Sequence, residues 1–287
     1  MPVSRSAFAA ALCCLALPLA GCGVRLDLPA PQPSAASAAE VTRQQLAIGL
    51  SELAQAPASS PLAPLAARAH AQADLLGGVW QACPPTAAPS DCTHLPASPE
   101  IVAPTSTAAE KQMAMQLATD LVQALSDDGA LARSAAGIVP VFLAQLRTLE
   151  ADPKGAARQL LTTKVDGAWT SDTGVLQALD WGAWQMEAFA ARESAAGRAP
   201  AAARTMAAQW RAAVNAAAAS QPTWPGGVHR TDDLSEVEVL EQTARRIAAR
   251  LAEVPSGELP AVTALLTDIS ERLLALGFEL PASWLAG

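Results

Sequence analysis

Tyrosine is absent from this chain of 287 residues, which holds only four phenylalanines and three histidines. Runs of β-branched residues are missing as well. Sheets draw on those residue types, so composition argues against a strand-built fold. No long basic run occurs, and the formal net charge is −8. A nucleic-acid partner needs a basic face that displaces phosphate counterions, and this charge pattern offers none. A polybasic membrane patch is missing for the same reason. The G-x-S-x-G elbow, the P-loop, the dinucleotide fingerprint and zinc-ligand spacing are all absent. The expectation is therefore no catalytic residue, no metal, no cofactor and no enzyme activity.

What is abundant is alanine, the best helix former. The fold class expected is all-α, a helical bundle. Leu46, Leu50 and Leu53 share a face of a first helix near 40–55, and Leu62, Leu65, Leu76 and Val79 stripe a second near 61–81. Gly77-Gly78 reads as an irregularity late in that second helix. "TSTAAE" opens a third helix, with Ser106 or Thr107 as cap and Glu110 closing a capping box. A fourth spans about 130–150, and Pro140 inside it predicts a kink or break. Residues 153–173 read as a connector with short helical possibilities. Four further helices follow, near 174–194, 200–220, after Asp233 or Ser235, and over Val262 to Leu273. Short loops between them favour an up-down bundle for residues 174–287, set apart from an N-terminal helical domain at 39–152. Trp284 in the tail needs cover from water.

The N-terminus carries an address. Arg5 is the only charged residue in 1–21, and Phe8 to Ala20 is apolar but shorter than the roughly 20 residues that a spanning helix takes. The run closes on Leu19-Ala20-Gly21-Cys22. This tetrapeptide matches the lipobox of bacterial lipoproteins. The match implies a signal peptide at 1–21 and a diacylglycerol, with its palmitate-type chains, on Cys22. Pro29, Pro31 and Pro33 make residues 22–38 an extended tether. Buried acyl chains contribute about 0.8 kcal/mol per CH₂, so the expected location is the extracytoplasmic face of the cell membrane. Cys13 and Cys14 leave with the leader. Cys83 and Cys92, an even pair in an exported chain, are expected to form a disulfide worth roughly 2–3 kcal/mol.

The stretches "GCGVRLDLPAP" (21–31), "ALDWGAWQMEAFAAR" (178–192) and "MAAQWRAAV" (206–214) resemble actinobacterial lipoproteins with a C-terminal ferritin-like domain of unknown function. The resemblance implies a ferritin-like four-helix bundle at 174–287. Di-iron members of that fold need two Glu-x-x-His motifs. Here Ala67, Asp91 and Gly226 precede His70, His94 and His229 by three residues, so the motifs are missing.

Asp180 and Glu187 are the candidate polar site. They lie seven apart on one helical stripe among Trp181, Trp184, Met186 and Phe189. They suit a bound cation or amine, or else an ion pair with Arg204, Arg211 or Arg245, the reading favoured. Trp224 and His229 form a candidate binding loop. The role expected is a lipid-anchored, non-catalytic binding or interaction module for a protein or small-molecule partner. The rival is a carboxylate-liganded metal or redox bundle enzyme, which would recruit Glu236, Glu238, Glu241 or Asp268. Replacing Cys22 by serine is expected to abolish incorporation of a labelled fatty acid and move the chain out of the membrane fraction.

Overall fold

The computed structural model describes residues 36–81, 97–127, 129–149, 151–152, 155–165, 172–220 and 229–285. By packing, the chain divides into Met1–Ala36 and Ser37–Gly287, and every described helix lies in the second unit. Among the described residues there are nine α-helices and no strand. They are α1 (Ala38–Leu53), α2 (Ala63–Leu75), α3 (Thr107–Ala124), α4 (Ala130–Thr148), α5 (Ala156–Thr163), α6 (Thr173–Ala195), α7 (Ala201–Ser220), α8 (Glu236–Ala248) and α9 (Leu259–Ala275). None is long and apolar enough to cross a membrane. Cys22, Cys83, Cys92, His94 and Trp224 lie outside the described residues.

Local chemistry sets several starts and stops. Ser37 caps α1 by accepting the Glu40 amide. Ser235 and Glu238 form a reciprocal capping box on α8, which carries acids in its first turn and Arg245 and Arg246 in its last. Both arrangements satisfy orphan amides and suit the helix dipole. On α3 the cap is Ser106, which accepts the Ala109 amide. Glu110 closes no box there. It sits one position too far along, is buried, and accepts a hydrogen bond from the Ser60 hydroxyl. The second helix ends earlier than its apolar stripe suggested. Gly77 and Gly78 have φ of 92° and 71°, and the Gly78 amide donates to Ala73 O, so the pair terminates α2 rather than perturbing it.

Helix α4 runs unbroken through Pro140, contrary to a break there. Its residues from Ala135 to Leu146 are buried without interruption. Packing on all sides offsets the hydrogen bond that proline removes. α4 receives α2 and α3 on one side and α9 on the other, while α1 bridges α2 and α3. α9 continues to α8, α8 to α6, and α6 to α7. The segment expected to connect two domains contains α5, which docks on α3 and α9 through buried Ala157 and Leu161. The packing therefore does not divide at 153–173. The α4–α9 seam joins residues 39–152 and 174–287 in one core, because an α4 buried all round needs apolar cover from both sequence halves.

The tail closes over that seam. The Trp284 ring is buried, and its indole N–H donates to Ser270 Oγ at 2.8 Å. Gln72 donates to Ala282 O at 2.8 Å and Arg68 to Leu280 O at 3.0 Å. On the other flank α6 approaches α7 and α8 at Gly182. A methyl there would lie 2.6 Å from Thr243 Oγ1 and 2.9 Å from the Trp210 ring. Gly182→Ala is therefore expected to destabilise the fold by about 1–3 kcal/mol through overpacking, read as a lower denaturant midpoint.

Candidate functional site

Asp172 caps α6 by accepting the Val175 amide at 2.8 Å. From that start, Val175, Leu179, Ala183, Met186 and Ala190 fall into the core, and the same register carries Asp180 inward. Asp180 is 5% exposed. An ionised carboxylate at that depth requires partners. Arg211 on α7 donates to its Oδ1 at 2.5 Å, and His229 Nε2 lies 3.0 Å from its Oδ2. Glu187, two turns along α6 and exposed, accepts from Arg211 Nε at 3.2 Å and Nη2 at 3.3 Å. One guanidinium thus grips both carboxylates. Burial works against the Arg211 charge, yet Glu187 and then Asp180 outweigh it and hold its pKa above the usual arginine value.

Of the three arginines named as partners for this pair, Arg211 reaches both carboxylates. Arg204 donates to Ser194 Oγ, and Arg245 pairs with Glu241 at 3.0 Å within α8. The acids that a metal centre would recruit are committed elsewhere. Glu236 pairs with Arg272 at 2.7 Å, Glu238 closes the capping box, and Asp268 pairs with Arg158. Burial pushes the Asp268 carboxyl up, and Arg158 pulls against that. Among the described residues no group of three or more His, Cys, Asp or Glu is placed to hold a metal ion. His70 is exposed and lies 3.8 Å from Asp74.

His229, read from the sequence as part of a separate loop, belongs to the Asp180 site. Its ring also meets Trp184 edge-on, with centroids 6.5 Å apart. The extended segment 229–235 is fastened along α6 by two residues the sequence reading passed over. Gln185, fully buried, donates to Arg230 O at 2.7 Å and accepts the Asp232 amide at 3.1 Å. Arg192 donates to Leu234 O at 2.5 Å and pairs with Asp233 at 3.2 Å. The signal was present in "WQMEAF": an amide on an otherwise apolar face must find a donor and an acceptor.

Beside this network a cleft of about 660 Å³ opens between the start of α6 and the end of α8. Asp180, Trp181 and His229 form its inner wall, and Arg246 and Arg250 its outer one. The Arg246 guanidinium carbon stands 4.1 Å from the Trp181 ring centroid. A second cleft of about 710 Å³ on α4, α7 and α9 is lined by the Arg147–Glu271 ion pair and by Asp268.

No family model matches the chain, and no curated protein or solved structure matches it.

Gln185→Ala removes two of the bonds that fix segment 229–235. The expected outcome is a loss of about 1–3 kcal/mol, with amide exchange at Asp232 accelerated far more than exchange in α4.

Proposed function

We propose that this chain is a cell-envelope protein anchored through a lipid on Cys22, and that its helical part is a non-catalytic binding module. The observation that carries the reading is the shared Arg211. Asp180 and Glu187, the pair best suited to ligate a cation, are both engaged by one guanidinium, and His229 is drawn onto the Asp180 carboxylate. Both partners of the Asp180–His229 pair are held by these contacts at the side of the cleft. They form a rigid wall of a cleft whose volume falls in the small-ligand range of about 300–1,000 Å³.

We further read α6 to α9 as a ferritin-like bundle without a metal centre. In support, α6 packs on both α7 and α8, and α8 packs on α9. The missing Glu-x-x-His motifs and the ion-paired carboxylates fit a bundle that has given up its metal. The lipid anchor rests on Leu19-Ala20-Gly21-Cys22 and the proline-rich stretch after it.

Metal retention tests the reading directly. The mature chain would be incubated with ferrous iron or manganese, desalted, and assayed for metal. Less than about a tenth of an equivalent is expected, because releasing Asp180 from Arg211 would strand a buried charge. Near-stoichiometric metal that disappears in the Asp180→Ala, Glu187→Ala double variant would overturn the proposal in favour of a carboxylate-liganded metal enzyme.

A further inference from the structure

We propose that the cleft between α6 and α8 binds a small organic oxyanion, a carboxylate or a phosphate, with Arg246 as its principal anchor and Arg250 beside it. This deepens the binding-module reading and rests on it.

Charge in the cleft is unevenly spent. Asp180 is engaged by Arg211 and His229. Arg250 lies 4.0 Å from Asp172 and pairs with Glu253. Arg246 is exposed, makes no ion pair or hydrogen bond among the described residues, and stands over the Trp181 ring. That contact orients the group. A cation–π contact consumes none of the five guanidinium N–H donors as a hydrogen bond, and a planar guanidinium fork matches carboxylate and phosphate oxygens bidentately. Trp181 itself is 8% exposed and set in α6, so the arginine rests on a fixed plate rather than a mobile side chain. Ordering an arginine in advance removes part of the entropic cost of gripping a ligand.

The floor of the cleft suits the same ligand class. Thr173 and Gln177, which carry neutral donors, line it together with the small residues Ala178 and Ala249. Asp180 faces an incoming anion only as part of an ion pair, so its repulsion is offset by Arg211.

The probes are inorganic phosphate and citrate, titrated against the mature chain carrying Cys22→Ser, with sodium chloride matched for ionic strength. The expected result is a saturable rise of a few degrees in thermal midpoint with at least one probe. Arg246→Gln and Ala249→Glu are both expected to weaken apparent affinity by about tenfold or more. The second does so by placing a carboxylate in the cleft without touching the Trp181 stack. Arg133→Gln, an exposed position on α4, serves as the control and is expected to behave as wild type. Co-sedimentation with phosphatidylglycerol vesicles, but not phosphatidylcholine, in an Arg246-dependent way would mark a lipid headgroup as the source of the oxyanion. Binding of free phosphate or citrate alone would mark a diffusible one.

No saturable rise above the chloride control, or equal rises in wild type and Arg246→Gln, would overturn the proposal. Such a failure is distinct from failure of the non-catalytic, metal-free reading, which the metal-retention assay tests independently.

Discussion

A carboxylate taken out of water must be paired or neutralised, and Asp180 is the place where this protein meets that demand. The arrangement around it follows. Arg211 must come from α7, which fixes how α7 lies along α6. His229 opens the segment 229–235, which its contact with Asp180 holds on α6 ahead of α8. Gln185 and Arg192 then fasten the segment in place. The neighbouring cleft owes its inner wall to this convergence, since Asp180 and His229 line it only because they are held together.

A second constraint organises the remainder. Helix α4 presents apolar surface in every direction, so it cannot sit at an edge. It takes α2 and α3 from its own half of the chain and α9 with the C-terminal tail from the other. Trp284 fills the seam with a large ring and satisfies its single polar atom on Ser270. Loss of either sequence half would expose α4, which is why the chain from Ser37 onward packs as one unit.

Much of this was legible in the sequence, and the reasons for the remainder are specific. Helix positions came through because apolar spacing and capping residues are local: Leu46, Leu50 and Leu53 are all buried, and α8 does begin just after Ser235. The end of α2 was missed because the stripe continues through Leu76 and Val79 while the backbone obeys Gly77 and Gly78. Pro140 misled for the opposite reason: tertiary burial overrode a local penalty. The division at 153–173 looked real because Gly155 and Gly167 and polar residues interrupt the pattern, and nothing local reveals that α9 docks on α4. At the site, the Asp180–Glu187 stripe and a neighbouring arginine were readable from helical periodicity. His229, 49 residues from Asp180, was singled out but not joined to it, because loop closure is a property of the folded chain. Arg246 was not singled out at all, since its role depends on a ring presented by another helix.

The central claim is that Asp180 and Arg211 stabilise one another as a buried pair rather than standing ready for a ligand. A double-mutant cycle of Asp180→Asn and Arg211→Gln, followed by denaturant unfolding of the mature chain, measures that directly. The account predicts a coupling of about 1–3 kcal/mol, with each single variant costing more than its share of the double. Strictly additive losses, or a rise in stability on replacing Asp180 alone, would contradict it.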